Sequence, residues 1–125
     1  MTATPARLAA ERRGRFAEAL CVAALRLTGW RVLARRMAGG RGTGLGEIDI
    51  VARRGATVAF IEVKARGDLA AAAESVTAQQ RARIARSADV YVQRHSDLGG
   101  CNVRFDVMLL AGGLWPRRIT DAWRP

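Results

Sequence analysis

Apolar residues recur at helical spacing after Thr4-Pro5, at Leu8, Phe16, Leu20, Ala23 and Leu27. Thr4 suits an N-cap, Pro5 the first turn and Gly29 a stop, so a helix is expected over 5–28. Trp30 to Arg36 reads as a strand. Residues 37–46 then hold five glycines, at 39, 40, 42, 44 and 46. Their spacing is too irregular for a dinucleotide or phosphate-loop fingerprint, and a loop is expected. From Glu47 to Arg53 the pattern alternates. Ile48, Ile50 and Ala52 take one face; Glu47, Asp49 and Val51 take the other. Gly55 marks a turn. From Thr57 to Lys64, Ala59, Ile61 and Val63 share a face, with Val58, Phe60, Glu62 and Lys64 opposite. The two segments form a hairpin over 47–64.

Residues 65–76 read as a loop with an alanine run that is open to partial helix. A second helix over 77–94 carries Ile84, Ala88 and Tyr91 on its apolar stripe. Asn102 to Leu110 is a fourth strand, Gly112-Gly113 turns the chain, and Leu114 to Trp123 adds a short strand. No repeat or linker interrupts the chain, so one domain over 1–125 is expected, of α/β class and order αβββαβ plus the final strand.

The hairpin register carries the chemistry. A four-residue loop at 54–57 would pair Arg53 with Val58 and set Asp49 opposite Glu62, with Cβ atoms about 5 Å apart. Two carboxylates so placed repel unless a cation lies between them. Mg²⁺ suits such a site, since it uses one or two carboxylates and keeps several waters. Lys64 shares the face of Glu62 and can hold a water beside the metal. These are the parts that phosphodiester hydrolysis needs. A two-residue loop would instead put Glu47 opposite Glu62.

Charge sharpens this picture. The net charge is +10, from 21 cations against 11 acids. Residues 1–41 hold nine Arg against Glu11 and Glu18 alone. A polyanionic partner is implied, and the basic first helix is a candidate for phosphate contact. Lys64 is the sole lysine, and Lys differs from Arg in offering a compact ammonium of adjustable pKa. Arg35, Arg36, Arg41 and Arg66 are candidate phosphate contacts. The two cysteines, Cys21 and Cys101, form no metal or redox motif, and one histidine, His95, makes zinc a poor fit. No apolar run is long enough to span a bilayer, and the first residues lack the apolar stretch of a signal peptide. The cytoplasm is the expected location, with no membrane partner.

Gly46-Glu47-Ile48-Asp49-Ile50-Val51, followed by Phe60-Ile61-Glu62-Val63-Lys64-Ala65-Arg66, resembles the signature of the YraN-like family of uncharacterised predicted endonucleases. That family is similar to archaeal Holliday-junction resolvases and belongs to the PD-(D/E)XK nuclease superfamily. Arg104-Phe105-Asp106-Val107 and Asp121-Ala122-Trp123 extend the resemblance over nearly the whole chain. It implies a restriction-endonuclease-like αβββαβ core, a central mixed sheet flanked by helices. It also implies Asp49 and Glu62 as ligands of Mg²⁺ or Mn²⁺, the Val63 carbonyl as a further ligand, and Lys64 as the catalytic lysine. Glu18 carries over as an outer ligand, and Gln80 or Gln79 as a support for the site. A full likeness to the resolvases would imply a homodimer.

Three functions remain in play. The first is a metal-dependent endonuclease acting on DNA, with branched DNA suggested by analogy alone. The second is a nucleic-acid-binding module that keeps the nuclease fold with little turnover. The third is a protein-interaction adaptor. The intact Asp49, Glu62 and Lys64 set favours the first.

Overall fold

A computed structural model describes residues 4–40 and 42–125. Helix α1 spans Pro5–Leu27. The strands are β1 (Arg31–Met37), β2 (Ile48–Arg54), β3 (Thr57–Lys64), β4 (Asn102–Leu109) and β5 (Arg117–Trp123). Between β3 and β4 lie α2 (Leu69–Glu74), α3 (Ala78–Arg94) and a 3-10 turn at Ser96–Leu98. The strands lie in chain order, β1-β2-β3-β4-β5, and only β3 and β4 are parallel. A parallel pair needs a crossover, and α2 and α3 supply it. The result is a mixed α/β fold with a five-stranded mixed sheet flanked by helices, consistent with the restriction-endonuclease-like core expected.

Each face of the sheet carries its own apolar cluster. On one, Cys21, Val22 and Leu25 of α1 pack with Trp30, Ile50, Ala52, Ala59, Ile61 and Met108. On the other, Ile84, Ala88 and Tyr91 of α3 pack with Val51, Val58, Phe60, Phe105 and Val107. The α3 stripe is the one its spacing predicts. The α1 stripe is not. Leu8, Phe16 and Leu27 are exposed, and the packed residues are Ala17, Glu18, Cys21, Val22, Ala24 and Leu25. Residues 5–16 join neither cluster, so apolar spacing there has nothing to pack against. The covered half needs small residues to sit on Ala52 and Ala59 of the sheet.

The alanine run after β3 is helical in part, as its sequence allowed, whereas the last strand starts later than expected. The loop after β3 contains α2, capped by Asp68, whose Oδ1 accepts the Ala71 N–H at 2.8 Å. Strand β5 starts at Arg117, and the adjacent Leu114 and Trp115 are exposed.

At the β4–β5 side, Asp106 is buried and serves as an ionic hub. It accepts two bonds from Arg104, two from Arg118 and the N–H of Asp121, all between 2.8 and 3.2 Å. Those two guanidiniums and that of Arg54 lie over the buried Trp30 ring, 4.6 to 5.3 Å from its centroid. Among the described residues, no helix is long and apolar enough to cross a membrane.

Candidate active site

The β2–β3 hairpin turns on two residues, Gly55 and Ala56, since Arg54 pairs with Thr57. Gly55 takes a φ of +59°, which a residue with a side chain rarely adopts. The loop is shorter than the four residues expected, yet the pairing is the expected one. Arg53 faces Val58, Val51 faces Phe60 and Ile50 faces Ile61. The two-residue loop therefore does not bring Glu47 opposite Glu62. One step beyond the last ladder pair come Asp49 and Glu62.

At that step the strands part from regular geometry. The expected alternation fails between Ile48 and Ile50, because Ile48 packs in the α3 cluster and Ile50 in the α1 cluster. The cause lies just upstream. Gly46 donates its N–H to the Arg83 carbonyl at 3.1 Å, and its own carbonyl accepts the Ser87 hydroxyl at 2.7 Å. A Cβ on Gly46 would come within 2.9 Å of the Ile84 nitrogen, so only glycine allows this approach. The start of β2 is thus drawn onto α3.

Asp49 then turns its side chain back to the hairpin. Its Oδ2 accepts the Val63 N–H at 2.7 Å. The Asp49 and Glu62 carboxyl groups lie close enough to act on each other's charge. Burial, and then the charge of Asp49, push the Glu62 carboxyl up to about 8, while Lys64 opposes the rise. Burial raises Asp49 too, against the lowering effect of the Val63 N–H. The Lys64 ammonium lies 3.8 Å from Glu62 Oε1. Asp49, Glu62 and Lys64 come together at one end of the sheet.

The other candidates have partners of their own. Glu18 is buried on α1, and the Nε atoms of Arg35 and Arg36 reach its carboxylate at 3.0 and 3.1 Å. Successive strand residues point to opposite faces, so both arginines reach one acid only because Arg36 takes a left-handed φ of +51°. These guanidiniums tie β1 to α1. Glu18 nonetheless raises Asp49 by its charge, which places it near the pair. Gln80 completes a capping box on α3. Its Oε1 accepts the Thr77 N–H at 2.9 Å, and its N–H bonds to the Thr77 hydroxyl. Arg66 is exposed on the loop after β3, beside Lys64 and Arg13. Arg41 lies outside the described residues.

Two clefts open at the hairpin end. One, of about 800 Å³, lies between the glycine loop and α3 and is lined by Glu47, Glu62, Gln80 and Arg83. The other, of about 380 Å³, lies against α1 and is lined by Glu47, Asp49, Glu18, Arg15 and Arg36. Arg83 and Arg15 were not singled out in the sequence. Only the folded position of the glycine loop and of α1 gives them their place.

The donor set fits a hard divalent ion. Among the described residues no three His, Cys, Asp or Glu side chains form a metal-binding group. Asp49, Glu62 and the Val63 carbonyl offer oxygen donors, the ligand class of Mg²⁺.

Residues 17–110 match the family described as Uncharacterised protein family UPF0102. The chain is 52% identical over 116 residues to a UPF0102 protein of Paramagnetospirillum magneticum, covering 93% of this chain and 90% of that one. It is 48% identical over 118 residues to one from Parvibaculum lavamentivorans, covering 94% and 86%. A relative from Maricaulis maris is 44% identical over 122 residues, covering 98% and 93%. With the match spanning most of the chain, this protein belongs to the UPF0102 family.

Proposed function

We propose that the protein is a metal-dependent endonuclease that hydrolyses phosphodiester bonds in DNA, acting in the cytoplasm. The observation that carries this reading is the convergence of Asp49, Glu62 and Lys64 at one end of the β2–β3 hairpin. Asp49, Glu62 and the Val63 carbonyl would hold Mg²⁺ or Mn²⁺. Bound there, the ion would neutralise phosphate charge and lower the pKa of a coordinated water.

The chain's own residues do the rest. The Val63 N–H fixes the Asp49 carboxylate, so that ligand is oriented before an ion arrives. Lys64 can orient a water and stabilise the charge that develops on the phosphate oxygens. The excess of Arg brings the substrate to an otherwise acidic site through contacts that position without reading sequence. Symmetric cutting of two strands in branched DNA would require two copies of the site, and hence a homodimer.

The test is incubation with labelled single-stranded, duplex, flap and four-way-junction DNA in Mn²⁺ or EDTA. Cutting that needs Mn²⁺ and disappears in Glu62→Ala and Lys64→Ala supports the reading. Salt-sensitive binding with no cutting on any substrate leaves a nucleic-acid-binding module instead.

A further inference from the structure

Two clefts flank the carboxyl pair, one towards α3 and one towards α1, and Glu47 lines both. Among the described residues, each contains one guanidinium that is unpaired with any described side chain. In the α3 cleft it is Arg83. Its neighbour one turn on, Arg86, is engaged, donating to the Gly44 carbonyl at 2.9 Å. In the α1 cleft it is Arg15, because Arg36 is held by Glu18 at 3.1 Å. Both unpaired arginines are exposed, and neither supports the core.

The acids at the crossing make these arginines useful. Glu47, Asp49 and Glu62 repel a polyanion, and one divalent ion together with Lys64 only balances that charge, leaving no net attraction for a strand. A strand drawn across the hairpin end therefore needs cations on each side of the acids. The glycine loop keeps the α3 side open. Gly39 and Gly46 are both packed where a Cβ would clash with backbone, at 2.1 and 2.9 Å, so that wall stays free of side chains at those points.

We infer that a DNA strand crosses the hairpin end from the α3 cleft to the α1 cleft, with Arg83 and Arg15 each holding a phosphate that flanks the one to be cut. This rests on the nuclease reading above. Neither arginine touches the reacting phosphate; both position the strand. The cut phosphate sits between them, against the metal and Lys64.

The experiment compares the parent with Arg83→Ala, Arg15→Ala and, as a control at the far end of α3, Arg94→Ala. Binding and steady-state cleavage in Mn²⁺ are measured at several salt concentrations. The substrates are the parent oligonucleotide and two versions with a neutral methylphosphonate next to the cut, one on each side. Each cleft variant should raise KM, leave kcat unchanged and reduce the salt slope by about one unit. Arg94→Ala should do none of these. Each methylphosphonate should weaken the parent, yet cost nothing further in one of the two variants, and the two should pair with different variants. Melting temperatures equal to the parent's would exclude misfolding as the cause.

If the parent cuts but both variants keep its KM and salt slope, the strand path is wrong and the nuclease reading stands. If both methylphosphonates cost every variant as much as the parent, the path is likewise wrong. A parent that neither binds nor cuts DNA overturns both.

Discussion

The Val63 N–H donates to Asp49 Oδ2 at 2.7 Å, so a main-chain group of one hairpin strand holds the acid of the other. This bond separates two roles of Asp49. Asp49→Asn keeps an acceptor for Val63 and removes the charge. It should melt in EDTA at or above the parent temperature, because the repulsion with Glu62 is gone, and should lose Mn²⁺ binding and cleavage. Asp49→Ala also strands the Val63 donor and should be less stable than the Asn variant by about 1–2 kcal/mol. Thermal melts and a Mn²⁺ titration of both variants check the separation.

Glu62 makes stability fall as pH rises in the metal-free protein. The folded chain holds a proton on this carboxyl up to about 8, whereas its ordinary value is 4.5. Between those values the folded state binds more protons than the unfolded one, so raising pH favours unfolding. The melting temperature in EDTA should drop across this window. Glu62→Gln should flatten the drop, and Mn²⁺ should recover stability at the alkaline end. A parent whose EDTA melts rise with pH across the window would contradict the arrangement.

The two thiols should differ sharply in reactivity. Cys21 is fully buried, and burial, followed by the charges of Asp49 and Glu18, pushes its thiol up to about 12. Cys101 is only half-buried. Since the thiolate is the nucleophile, a disulfide reagent at pH 8 should titrate one thiol in the folded protein and two in denaturant. Rapid labelling of both in the folded state would place Cys21 elsewhere.

Asp106 should matter for stability and not for chemistry. Its carboxylate is fully buried between Arg104 and Arg118. Asp106→Ala leaves those guanidiniums without their counter-charge and should cost about 3–5 kcal/mol. Urea denaturation would measure the loss. Glu62→Ala, by contrast, should show no such cost in EDTA, since it removes an unfavourable neighbour of Asp49.

The hairpin register was legible because alternation and one glycine turn leave few ways to bury Val51, Phe60, Ile50 and Ile61 together. The fate of Ile48 was not. It depends on Gly46 meeting Arg83 and Ser87, about forty residues away, and no strand period records such a contact. Glu18 likewise drew attention as an acid near the site, but its pairing with both Arg35 and Arg36 turns on a single left-handed residue. Gln80 had a readable signal that its assignment to the site passed over. Thr77-Ala78-Gln79-Gln80 is a capping-box pattern, and the cap forms. The first helix misled because its apolar spacing continues into turns that reach no core.

Those same turns bear on how such a protein can diversify. Ala17, where the match to the family model begins, is also the first residue of α1 to be buried. Residues 5–16 stand outside the two apolar clusters. Substitutions there alter the charge offered to a partner without disturbing the packing that aligns Asp49, Glu62 and Lys64. The charge presented at one end of this helix can drift while its other end keeps the packing around Asp49, Glu62 and Lys64 in place.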